Sequence, residues 1–388
     1  MHHAGLARTG PVRRMRAEPS PAKGRLCFVA LWAWPVLARD PRIAMAGGAE
    51  VQQAILARLF ARHGYAVSMI TLDHGQAEGE RVDGVTVHKA FAPRAGLPAL
   101  RVLHPRLTAL WSALARADAD IYYFRSVSMW LRLVTEFCRR RGRRAVYAGA
   151  SDKDFVADIG GQLRNPRDRW LYRRGLAAAD AIVAQNEFQR ASCLENYGRE
   201  AVVIPSCYEV PPTPPKTEST RGDLVLWVGM LEKNKRPELF LDAAARLPHR
   251  RFVMIGGPRA GAQSFYEAIR ARAAALANVE MTGFLPLAQV EPWFDRARVL
   301  VNTSVYEGMP NTFLQAWARG VPTIATVQAG AGIFCQTADE AAAQIERLFT
   351  DENHLRAQSR ACRAQFDECH SPALALGHYR RLFEALAA

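Results

Sequence analysis

The chain has 388 residues, with 51 Lys and Arg against 37 Asp and Glu, and a formal net charge of +14. That length allows two domains and a substantial core, and a hydrophobic content of 49% is ordinary for a soluble protein. The positive charge points to anionic partners, but no helix-turn-helix, zinc-finger or RNA-binding signature accompanies it, so nucleic acid is not expected. The seven cysteines are scattered without a CxxC pair, which argues against structural zinc and a disulfide framework and for reduced thiols in a cytoplasm. No HExxH-type ligand set and no apolar run of membrane-span length is present.

Residues 1–24 are rich in Ala, Arg and Pro without periodicity and read as a disordered basic tail. Leu26–Ala38 is apolar and follows Lys23 and Arg25, as in a signal peptide, but it serves better as the first core strand. Next comes Ala46-Gly47-Gly48-Ala49-Glu50, then an amphipathic helix with Val51, Ile55, Leu56, Leu59 and Phe60 on one face, then a strand from Ala66. Gly47 and Gly48 let a ligand approach the backbone; a tight loop before a helix accounts for them equally. The spacing is not GxGxxG, so no dinucleotide cofactor is implied.

Strands are expected at Val85–Ala90, Ile121–Phe124, Ala145–Ala148, Ala181–Ala184 and Val202–Ile204, with helices between them. Arg125 to Ser128 follow a strand end, where α/β proteins bind ligands. Arg139–Arg144 and Arg164–Arg174 are basic clusters, either solvated helix faces or contacts to an anionic membrane surface. Residues 206–222 carry most of a proline run and mark a linker between an N-terminal domain, 25–205, and a C-terminal domain, 223–370. The second domain again alternates strand and helix, with turns at Gly229, Gly256-Gly257 and Gly283-Phe284.

Val299–Ala325 is the densest stretch: a strand, a polar turn, a helix opening at Pro310-Asn311-Thr312 and closing at Gly320, and a second strand. The first amides of a helix lack intrahelical partners and suit a phosphate. Glu307 precedes them and Gln315 follows eight residues later.

Ser304–Thr323, SVYEGMPNTFLQAWARGVPT, resembles the signature of the family 4 retaining glycosyltransferases, and the resemblance extends over about 300 residues. It implies the α/β GT-B fold, two Rossmann-like doubly wound domains facing a central cleft, with residues 371–388 forming a helix that crosses back to the first domain. It also implies transfer of a sugar, with retention, from a UDP- or GDP-linked donor to a saccharide or lipid-linked acceptor. No metal and no further cofactor is implied. The setting is bacterial surface polysaccharide or glycolipid synthesis, cytoplasmic or peripheral at the inner face of the membrane.

By the same resemblance Glu307 is the catalytic carboxylate and steadies developing positive charge. Asp152 stands in a loop where the family often places a His; capping of the next helix is the competing role for Ser151 and Asp152. Lys235 and Arg236, with the backbone of Gly308, Met309, Pro310, Asn311 and Thr312, hold the diphosphate. Gln315 bonds the ribose, and Gly256 and Phe284 lie toward the base. Three features depart from the family: Gln315 replaces a usual Glu, Met230 replaces a usual Arg, and the loop after Val327 is short. They keep open a non-catalytic scaffold of the same fold, beside an epimerase or a phosphorylase.

Overall fold

The computed structural model describes residues 23–40, 47–96, 102–209, 222–259 and 261–387, so most of the expected tail and linker lies outside the described residues. The first sheet has eight strands: β1 Arg25–Val29, β2 Ala66–Thr71, β3 Glu80–Val82, β4 Val85–Lys89, β5 Ile121–Arg125, β6 Arg144–Ala148, β7 Ala181–Ala184 and β8 Val202–Val203. Their order is β3-β4-β2-β1-β5-β6-β7-β8, parallel except for β3. The second sheet has six: β9 Leu224–Val228, β10 Arg251–Ile255, β11 Val279–Gly283, β12 Ala297–Asn302, β13 Thr323–Ala325 and β14 Ile333–Phe334, in the order β11-β10-β9-β12-β13-β14.

Near-continuous apolar strands such as RLCFV and LVLWV are what a parallel sheet covered on both faces requires. The strand expected from Leu26 ends at Val29, because Pro35 opens a short helix, Trp34–Leu37. The β3–β4 hairpin was not expected. Asp83 and Gly84, both at positive φ, form its two-residue turn, and an Asp-Gly pair between strands is a recognisable hairpin signal.

Strand order reverses at β1/β5 in the first sheet and at β9/β12 in the second, and ligands bind outside the carboxyl ends at such points. The C-terminal helix and the start of the linker help tie the domains together. Helix Pro372–Ala387 lies against the first domain: the Tyr379 and Tyr123 hydroxyls are 3.0 Å apart, Phe383 packs on Phe60, and Arg144 Nε donates to Leu386 O at 2.9 Å. The start of the expected linker is itself buried, with Tyr208 N donating to His370 O at 3.2 Å and His370 Nδ1 2.7 Å from Ser206 O.

Candidate active site

Between the two sheets lies a cavity of about 770 Å³, walled by residues from both domains. Glu307, Gly308, Met309, Pro310, Asn311, Thr312, Gln315, Lys235, Gly256, Phe284, Gly47 and Gly48 all line it. These stretches of sequence meet because β9 and β12 end side by side, and each strand end feeds a loop into the cleft.

Loop contacts set the central pair. Val305 N donates to Asn234 O at 2.8 Å, Trp227 Nε1 donates to Thr303 Oγ1 at 3.0 Å, and Thr303 Oγ1 also bonds Lys235 O. This stitching places the Lys235 ammonium in an ion pair with Glu307 Oε1, which also accepts from Ser304 Oγ at 2.6 Å. Arg236 takes the left-handed conformation that starts helix Pro237–Arg246, and its Nε donates to Thr303 O at 3.0 Å. Its side chain is therefore committed to the loop, and the structure does not bring it into the cavity wall.

The glycines serve close approach. A Cβ on Gly256 would overlap the carbonyl oxygen of Gly229, and one on Gly308 would overlap Gln185 Oε1 from the other domain. Asn311 spans the cleft: its Nδ2 donates to Gly48 O at 3.0 Å and its Oδ1 accepts from Gln52 Nε2 at 2.8 Å. Lys153 lies over the Tyr306 ring, 3.2 Å from its centroid, a second bridge between domains.

Gln315 is buried in a network from helix Leu287–Arg296. Its Nε2 donates to Glu291 Oε1 at 2.8 Å, Tyr208 bonds the same oxygen, and Arg319 Nη2 donates to Glu291 Oε2 at 2.7 Å. With the amide nitrogen so committed, Gln315 Oε1 is left as the acceptor for the cavity.

Asp152 is not brought into the cavity wall. Its Oδ1 accepts from Asn186 Nδ2 at 3.1 Å and Gln189 Nε2 at 2.9 Å, and Ser151 supplies the cap to Lys153 N. The buried carboxyl of this loop is Asp154, which accepts from Ala150 N at 2.7 Å; burial pushes it up to about 6.

Sequence reasoning passed over several lining groups: Trp32, Glu50, Gln185, Glu232 and Arg259. Arg259 is exposed and ion-paired to Glu232, and its backbone N–H donates to Leu231 O at 3.4 Å, so a cation stands against the loop that follows Met230. Its position directly after Gly256-Gly257-Pro258, at a strand's carboxyl end, was the signal for it. Glu50 is raised above the usual carboxylate range by burial, which its own backbone N–H and Arg125 only partly offset. Among the described residues no group of three or more His, Cys, Asp or Glu converges as metal ligands do.

A family model described as glycosyl transferases group 1 matches residues 222–351, and one described as Glycosyltransferase Family 4 matches residues 46–210. The chain belongs to the group 1, family 4 glycosyltransferases. These enzymes take the sugar from a nucleotide-activated donor.

This glycosyltransferase is 27% identical over 332 residues to a D-inositol 3-phosphate glycosyltransferase of Frankia alni, spanning 75% of this chain and 80% of that one. It is 33% identical over 120 residues to the Vi polysaccharide biosynthesis protein VipC/TviE of Salmonella typhi, 29% of this chain and 19% of that protein. Among solved structures, Anabaena HepE in complex with UDP-glucose superposes with a TM-score of 0.69 at 14% identity, covering 93% of this chain and all of that one. Sucrose-phosphate synthase of Thermosynechococcus elongatus gives 0.70 at 19%, covering 94% of this chain and 100% of that one. At these identities the structural likeness establishes the GT-B fold.

Proposed function

We propose that the glycosyltransferase moves a hexose from a UDP-sugar to a hydroxyl of a saccharide or lipid-linked saccharide, with retention at the anomeric carbon. The observation that carries this reading is the convergence of Lys235, Glu307 and Gln315 in one interdomain cavity. When a donor enters, the diphosphate draws the Lys235 ammonium from Glu307, and Glu307 turns to the sugar hydroxyls. The bond from C1 to the phosphate oxygen breaks, a bond from C1 to the acceptor oxygen forms, and the acceptor's proton passes to the leaving phosphate. Lys235 and Arg259 stabilise the charge the diphosphate gains. Glu307 steadies the positive charge at the sugar ring.

Gln315 Oε1 accepts from a ribose hydroxyl, and the glycine-walled floor at Gly256 beside Phe284 receives the base. UDP is favoured over GDP by the UDP-glucose complex of the Anabaena protein. Retention is what likeness to the family implies. Of the three departures that speak for a scaffold without activity, the loss of a cation at Met230 weighs less because Arg259 also lines the cavity, paired to Glu232.

A place in polysaccharide biosynthesis has support in the Salmonella relative, which is named for Vi polysaccharide biosynthesis. Among the described residues no helix is long and apolar enough to cross a membrane. The run Arg139–Arg144 is largely engaged with Glu136, Asp118, Asp120 and Asp180. Helix Pro166–Ala178, with Trp170 exposed beneath Arg174, is the better surface for anionic lipid.

A thermal-shift panel of UDP, GDP and ADP, followed by UDP release from UDP-glucose and UDP-galactose, tests the reading. A shift with UDP alone and UDP release are expected; no shift with any of the three refutes it.

A further inference from the structure

We infer that the first-domain wall of this cavity is a subsite for an oxyanion, a phosphate or carboxylate carried by the acceptor saccharide, held by Arg125, with the Trp32 ring on the same cavity. The inference rests on the proposed reading only in taking that wall as the acceptor's side.

Arg125 ends β5 at the switch point of the first sheet and lines the cavity. It is 6% exposed. Nη1 donates to Tyr123 Oη at 3.2 Å and Nη2 to Ser206 Oγ at 3.1 Å, both neutral hydroxyls. Its Nε is buried without a partner; Glu50 and Asp154 reach the guanidinium electrostatically, but among the described residues no carboxylate lies at ion-pair distance. Arg319 shows the ordinary solution for a guanidinium this deep: it holds both Glu291 and Asp295.

A buried charge lacking an adjacent counter-charge is costly, so its retention in a cavity wall points to a ligand that supplies one. A guanidinium fork matches a phosphate or carboxylate better than a sugar hydroxyl. Glu50 also lines this wall, with its carboxyl raised by burial, which lessens its opposition to an oxyanion. Trp32 follows β1 on the other side of the switch point and is 44% exposed although it lines the cavity. An open indole at that place offers a flat apolar face to the C–H side of a sugar ring. A cation and an aromatic platform together describe a charged saccharide.

The test is calorimetric titration of glucose, glucose 6-phosphate and glucuronate into the full chain saturated with UDP, which occupies the diphosphate site. At least one of the two anions is expected to bind about tenfold or more tighter than glucose, and which one does so separates phosphate from carboxylate. Arg125→Gln removes that preference. Trp32→Ala, at an exposed position that does not endanger folding, weakens the preferred anion. Equal binding of glucose and both anions, no binding of either anion, or a preference that survives in Arg125→Gln overturns the inference. If Arg125→Gln does not fold, Arg125→Lys replaces it, and loss of at least half the preference is required. The UDP titration stands apart: its failure refutes the donor reading, and the anion titrations without UDP still decide the subsite.

Discussion

Changing Gln315 to Glu restores the residue usual in the family, yet the structure predicts that it damages this protein. Gln315 is 4% exposed, and its Nε2 donates to Glu291 Oε1 at 2.8 Å. In Gln315→Glu an oxygen replaces that donor. Two ionised carboxylates at this separation repel by about 6 kcal/mol at an effective dielectric of 20. The pair escapes by sharing a proton. Keeping a proton at pH 7 on a carboxyl of ordinary pKa costs about 3.7 kcal/mol, which is the ceiling. Arg319, which already donates to Glu291 Oε2 at 2.7 Å, lowers it. The expected loss is about 2–4 kcal/mol at pH 7.

The pH dependence follows from the shared proton. The pair's folded pKa lies above its unfolded value, so its contribution is complete below the unfolded pKa and is lost as pH rises through the folded one. Urea unfolding of wild type and variant should show a small difference at pH 4.5 and the full loss at pH 7.5. The double variant Gln315→Glu/Glu291→Gln restores one donor opposite one acceptor and recovers part of it. A loss under about 0.5 kcal/mol at pH 7.5, or an equal loss at both pH values, refutes the reasoning.

Lys235→Ala should weaken UDP binding by about 10- to 100-fold, the worth of a hydrogen bond between charged groups, with little change in apo melting temperature; an unchanged UDP shift counts against the assigned role. Gly256→Ala should cost about 1–3 kcal/mol in urea unfolding, because the new methyl meets the fixed backbone oxygen of Gly229; wild-type stability would show that the strands part freely. Asp154, raised to about 6 by burial, contributes fully below its ordinary value near 3.8 and loses that contribution as pH rises through 6. Asp154→Asn should therefore gain about 3 kcal/mol relative to wild type between pH 4 and pH 8; a constant difference over that range would contradict it. Gly308→Ala should hold the domains apart at Gln185 and raise KM for the donor about tenfold at unchanged stability, and kinetics at wild-type level would remove the contact from the closing surface.

The sequence by itself determined the alternating strands and helices of both halves, the glycine-walled strand ends and the strand-turn-helix carrying Glu307 and Gln315. These are local properties: periodicity, turn residues and capping are written within a few residues of where they act. Lys235, assigned through the family resemblance, does line the cavity. The tertiary structure decided which side chains face one another. It turned Arg236 to Thr303 and Asp152 to Gln189, and it paired Arg259 with Glu232 on the cavity wall. It brought Glu291 from another helix against Gln315, and Arg125 and Trp32 to one wall from strands about 90 residues apart. None of these pairings has a sequence spacing. Each depends on the order in which strands join a sheet and on how two sheet edges face across a cleft, and those are settled by packing over the whole chain.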